Sequence, residues 1–84
     1  MTLEEVSHVT DTKLAVNTTL SRGFCASFVG LELFNGCVLT SACGFGETET
    51  EAREALALRV SDERAVTGGL SGPRQNYYLP TVTA

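Results

Sequence analysis

Polar and apolar residues alternate along three stretches of this chain and recur at helical spacing in two. In "KLAVNTTL", Leu14, Val16, Thr18 and Leu20 take one side, and Lys13, Ala15, Asn17 and Thr19 the other. That period of two predicts a half-buried strand over 13–20. "SRG" follows, with Gly23 able to take a positive φ, and predicts a short hairpin loop. "FCASFVGLELF" and "CVLTSACGF" read as a second and third strand. Asn35-Gly36 between them is a strong hairpin signal. A two-residue turn there sets Phe34 opposite Cys37, Leu33 opposite Val38, Leu31 opposite Thr40 and Val29 opposite Ala42. The face bearing Val29, Leu31, Leu33, Val38 and Ala42 is then the core face. The other face mixes Phe28, Phe34 and Leu39 with Glu32, Ser41, Cys37 and Cys43. It is too apolar for open solvent and calls for a cover, either the C-terminal segment or another chain. A bulge at Gly30 would shift these faces.

"GFGETETEAREALALR", residues 44–59, changes period. Thr48 and Glu51 form a capping box, and Ala52, Ala55, Leu56 and Val60 make an apolar stripe at i, i+3, i+4 and i+8. Glu47, Glu49 and Glu51 lie near the positive end of the helix dipole, and Arg59 and Arg64 near its negative end. A main helix is predicted. "TLEEVSHV" carries a second capping box, Thr2 with Glu5, followed by Leu3, Val6 and Val9; it reads either as a short helix or as a loose tail. "VTGGLSGPRQ" reads as a loop, and "NYYLPTVT" as an edge strand, since Pro80 bars a central place. The fold class expected is α+β: a three-stranded antiparallel meander with one main helix on one face, a short N-terminal helix and a C-terminal edge strand as additions, in a single domain over 1–84.

Bulk properties narrow the function. A chain of 84 residues buries only about 60–65% of its unfolded surface, so a large site needs a partner chain. Six basic against ten acidic residues give a net charge of −4, which works against unaided binding to nucleic acid or anionic lipid. No apolar run approaches a membrane span, and the N-terminus lacks a secretory pattern. Three cysteines, Cys25, Cys37 and Cys43, are an odd count and read as reduced, buried thiols in a cytoplasmic protein. In the register above, Cys25 points to the core face while Cys37 and Cys43 point away.

The candidate chemistry is sparse. Gly44-Phe45-Gly46 before a helix resembles an anion cradle, but it lacks the Lys-Ser/Thr of a P-loop and the third glycine of a dinucleotide fingerprint. A structural strand-to-helix turn is the reading taken. The cysteines and the lone His8 do not have metal-ligand spacing, and no nucleophile–base pair is evident. No metal, cofactor or catalytic residue is expected, and the protein reads as a non-enzyme. Tyr77, Tyr78 and Arg74 are of interface type; they either fold back over Phe28 and Phe34 or anchor a partner.

Three resemblances bear on function. Residues 2–62, above all "GFCASFVGLELFNGCVLTSACGFGETETEAREALA", resemble the double-stranded-RNA-binding domain, with its order of helix, three-stranded meander and alanine-rich helix. Where that family's helix opens on phosphate-gripping lysines, this chain has Thr48, Glu49, Thr50 and Glu51, so the resemblance implies the fold and not the RNA contact. "ASFVGL" followed by "GFGETETEAREAL" is similar to HicB-type antitoxins, which implies a small toxin as partner. By type, the chain is similar to small acidic phage inhibitors, including anti-CRISPR proteins. The expected function is therefore that of a protein-binding inhibitor, encoded by a phage or mobile element; the resemblances imply two alternatives, a HicB-like antitoxin binding a small toxin and a degenerate RNA-binding domain. Its acidic helix stands in for nucleic acid on the basic surface of a partner protein. Glu47, Glu49, Glu51 and Glu54 are the expected contacts, with Arg74, Tyr77 and Tyr78 as anchors. Direct nucleic-acid binding and membrane binding are not expected; a homodimer through the mixed sheet face is one alternative for covering that face.

Overall fold

A computed structural model describes residues 1–19, 21–69 and 72–84. The described chain is α+β, with helices α1 (Leu3–Thr10) and α2 (Glu49–Val60) and strands β1 (Lys13–Thr18), β2 (Phe24–Asn35), β3 (Val38–Gly46), β4 (Arg64–Thr67) and β5 (Gln75–Tyr78). The strands form one antiparallel sheet. Twelve-residue β2 is its spine. One edge of β2 pairs with β3. The other is shared: β1 pairs with Phe24–Val29 and β4 with Leu31–Leu33. β5 closes that side. The expected meander is thus extended by two strands. The C-terminal edge strand lies at Gln75–Tyr78, and β4 falls at the start of a stretch read as loop. Leu20 of the first predicted strand, and Leu70 and Ser71 of the glycine-rich stretch, lie outside the described residues.

The N-terminal segment is a helix because its capping box closes in both directions. Glu5 N–H donates to Thr2 Oγ1 (3.2 Å), and Thr2 N–H to Glu5 Oε1 (2.9 Å). Leu3 and Val6 of α1 are completely buried beside Leu56 and Val60 of α2 in one cluster. The C-terminal segment runs back along this layer. Leu79 N–H donates to Glu63 O (3.0 Å), Thr83 N–H to Met1 O (2.8 Å) and Leu3 N–H to Thr83 O (3.1 Å). Leu79 and Val82 are thereby buried in the core, so the C-terminus covers the helical side of the sheet and leaves the mixed face open.

Gly30 decides which residues of β2 face the core. It sits at φ +91, in the left-handed region that glycine tolerates, and the β2–β3 register jumps between Ser27 and Glu32. Before the jump the even residues Ala26 and Phe28 are buried; after it the odd residues Leu31 and Leu33 are. A bulge inserts extra residues on one strand and reverses the side-chain alternation beyond it. The expected register is corrected at the turn as well, because the loop lies one residue later than Asn35-Gly36, with Gly36 at φ +73. Phe34 pairs with Leu39 and Leu33 with Thr40, leaving Gly36-Cys37 as the loop. Val29 is 58% exposed and Phe28 is core. Val38 shares a face with Ala42 but lies beyond Thr40, where the last turn of α2 reaches the strand through Arg59; it is exposed.

α2 rests directly on β3. A Cβ on Gly44 would lie 2.6 Å from the carbonyl carbon of Ala55, and one on Gly46 2.5 Å from the amide nitrogen of Ala52. Both glycines are strand residues facing the helix, and the turn itself is Glu47-Thr48. Ala52, Leu56, Ala57 and Val60 are buried, whereas Ala55 stays half-exposed. Gly44→Ala should therefore cost about 1–3 kcal/mol from overpacking against the helix backbone. Gly36→Ala, with nothing within 4 Å but a φ of +73, should lose about 1–2 kcal/mol to backbone conformation. Urea unfolding of the two variants checks the order.

Candidate protein-binding surfaces

The start of α2 is organised by its own side chains. Thr48 Oγ1 accepts from Glu51 N–H (3.1 Å), and Glu51 Oε2 accepts from Glu47 N–H (3.1 Å). Two main-chain donors beside this helix end, Glu51 N–H and Glu47 N–H, are thus met by a hydroxyl and a carboxylate of the chain. Glu47, Glu49, Glu51 and Glu54 are all exposed. The two arginines of α2 are engaged elsewhere: Arg53 pairs with Glu4 of α1, and Arg59 Nη2 donates to Thr40 Oγ1 (3.0 Å). Arg64, expected at the negative end of the helix, belongs to β4 instead.

The opposite face of the sheet is open and has a different character. Leu39 pairs with Phe34 and Arg64 with Tyr78, and the β2–β4 pairing that ends at Leu33–Ala65 sets Phe34 and Arg64 side by side. The Arg64 guanidinium lies 4.8 Å from the Phe34 ring centroid and 5.8 Å from that of Tyr78, a cation–π arrangement worth about 0.5–1 kcal/mol at an exposed site. Arg64 Nη2 also donates to Asn76 Oδ1 (3.1 Å). Phe45 projects at the far end of this face, 64% exposed, and Tyr78 is 78% exposed. Among acidic residues, Glu32 alone lies in a strand. Phe34, Leu39, Glu32, Cys37, Val38 and Arg74 line a shallow groove of about 570 Å³. Arg74 is held there by its Nε–H, which donates to Gly69 O (2.9 Å).

The residues expected to bind a partner therefore divide between surfaces. Glu47, Glu49, Glu51 and Glu54 stand together around the start of α2. Tyr78 and Arg74 lie on the open face, on the other side of the sheet. Tyr77 packs against the core, and its hydroxyl donates to Gln75 Oε1 (2.7 Å). Adjacent strand residues point to opposite faces, so Tyr77 and Tyr78 cannot serve one surface together. Arg64 escaped sequence reasoning because β4 is only four residues long and runs into a glycine-rich stretch; the β-forming pair Val66-Thr67 after the Ser61-Asp62 turn was the available signal.

The cysteines also depart from expectation. Cys25 and Cys43 are half-buried, and Cys37, in the hairpin loop, is exposed. The Gly30 bulge puts Cys25 on the same open face as Cys43. Burial, and secondarily the neighbouring Cys43, raise the Cys25 thiol above its usual value. His8 is exposed in the last turn of α1. Among the described residues, no group of three or more His, Cys, Asp or Glu is placed to hold a metal ion, and no helix is long and apolar enough to cross a membrane. No family model, curated protein or solved structure matches this chain.

Two measurements follow. Cys37 should react first with a disulfide reagent at pH 8, and Cys25 more slowly, because the reactive thiolate is scarcer at a raised pKa; peptide mapping after partial labelling reads this. The hydrogen bond from Arg53 holds Glu4 below its ordinary 4.5. A depressed carboxylate contributes stability above its unfolded pKa, and that contribution is lost as pH falls through the folded value. In Arg53→Ala the Glu4 titration followed by NMR should move up toward 4.5, and the loss of stability on acidification below about pH 4.5 should become shallower.

Proposed function

We propose that this protein acts without chemistry, by binding another protein through the exposed carboxylates at the start of α2. The observation that supports this reading is their arrangement: Glu47, Glu49 and Glu54 are exposed on or beside a rigid helix, while its arginines are turned to Glu4 and Thr40. Glu51 adds a carboxylate with one oxygen already used in the cap. Carboxylates clustered on one helix start present negative charge of the sign that a basic, phosphate-binding surface attracts. The seating of α2 on Gly44 and Gly46 fixes the backbone that carries them, so binding has only their side-chain rotamers left to order. Such a protein inhibits by occupancy: it covers a partner's nucleic-acid site, with association steered by charge and weakened by salt. An inhibitor of the anti-CRISPR type, carried by a phage or mobile element and acting in the cytoplasm, is the concrete form of this proposal.

The test is a pull-down from host lysate with the wild-type protein and with Glu49→Lys/Glu54→Lys, followed by mass spectrometry. The wild type should retain a nucleic-acid-binding protein and displace its nucleic acid in a gel shift, less effectively at high salt. The double variant should keep its circular dichroism spectrum and lose at least tenfold in displacement. Equal displacement by the two proteins would remove α2 from the interface.

A further inference from the structure

The three sheet edges are guarded unequally. β5 is four residues long and is followed by Pro80. β1 is six residues long, begins with Lys13 and lies beside α1. Short length, charge and proline are the usual means of keeping an edge from pairing with another chain. β3 has none of them. Its sequence, VLTSACGFG, runs nine residues without a charge or a proline. It pairs with β2 on one side only, and among the described residues no side chain or loop hydrogen-bonds its outer main-chain groups.

We propose that β3 is the seam of a homodimer, in which two copies pair their β3 strands antiparallel about a two-fold axis near Cys43. The charges above the strand favour a second copy over an unrelated segment. Glu51 stands over Gly46, where its Cβ approaches the glycine, and Arg59 stands over Thr40, which it hydrogen-bonds. The midpoint of Thr40 and Gly46 in the strand is Cys43; the midpoint of Glu51 and Arg59 in the helix is Ala55. A two-fold axis at this point reverses the partner and lays its Arg59 end beside Glu51, and its Glu51 end beside Arg59. Half-exposed Ala55 is small enough to let the two helices approach. Both charged residues are exposed, and each retains hydrogen-bonding capacity beyond its present bond. An isologous pairing of this kind closes on itself and uses up the free edge, so it stops at two subunits. It leaves the open sheet face and Glu49 and Glu54 outside the seam. Glu51 is shared with the proposed partner surface, but that surface is tested at Glu49 and Glu54 and the seam at Glu51, Arg59 and Cys43, so failure of one is distinguishable from failure of the other.

Sedimentation equilibrium of the full chain should give twice the 8.9 kDa of one copy. Glu51→Arg and Arg59→Glu alone should each weaken dimerisation about tenfold, since each breaks two symmetry-related pairs and sets like charges together. Combining them should restore it, which simple loss of the Glu51 cap could not do. In Cys25→Ser/Cys37→Ser, which leaves the seam untouched, a short bis-maleimide should join Cys43 to Cys43. A monomer at about 100 µM, where an association of biological strength near the micromolar range is complete, overturns the proposal. So does a dimer that is indifferent to both single reversals and links through Cys25 or Cys37 instead of Cys43, which would place the contact on the open face. If a charge variant fails to fold, the Cys43 crosslink decides.

Discussion

The contact of α2 with the backbone of β3 at Gly44 and Gly46 governs the arrangement of the molecule. With side chains at those positions the helix would be lifted off the strand, and Leu56 and Val60 would lose their place beneath α1 and the C-terminal segment. With glycines there, the helix axis is set close to the sheet, the chain needs only Glu47 and Thr48 to turn from strand to helix, and Phe45 between the glycines is sent to the opposite face. The same seating fixes where the carboxylates of the first turns emerge and which helix residues lie above the strand edge. Packing at backbone contact is unforgiving because neither partner has a rotamer to adjust.

Charge is unevenly divided by this architecture, with Arg53 and Arg59 on α2 tied to Glu4 and Thr40. The acidic residues sit in helices, caps and turns, with Glu32 the exception among strand residues. Lys13, Arg64 and Arg74 belong to the strands or to the loop beside the open face. A net charge of −4 therefore describes neither side of the sheet. One side offers carboxylates on a rigid helix; the other offers an arginine stacked between two aromatic rings amid half-buried apolar groups.

Much of this was legible from residues alone. Helix caps act through bonds between residues three or four apart, so the full box of Thr2 with Glu5 and the Thr48 half of the cap at Glu51 could be read directly; the Glu51 carboxylate turns to Glu47 N–H instead of closing the second box. The presence of a hairpin between β2 and β3 and the alternation of Leu14 with Val16 are local in the same sense, although the turn falls at Gly36-Cys37, one residue beyond Asn35-Gly36. The cluster Glu47, Glu49, Glu51 and Glu54 was legible because one helix start carries it. Arg74, Tyr77 and Tyr78 looked like neighbours in sequence, but strand alternation separates the two tyrosines and a groove on the open face takes the arginine. β4 was missed because four residues carry too little periodicity to stand out beside three nearby glycines.

The sequence by itself determined the elements whose cause is local: two capped helices, a hairpin, a half-buried first strand and an α+β class. Tertiary structure decided which side of β2 is inside. One bulge at Gly30 shifts the alternation, so Val29 and Cys25 face outward and Phe28 inward, and no local pattern reveals the phase on its far side. It also decided that β1 and β4 share one edge of β2 while β3 keeps a free one. Strand order depends on hydrogen bonds between residues far apart in the chain, and the pattern of side chains along any single strand does not encode its neighbour.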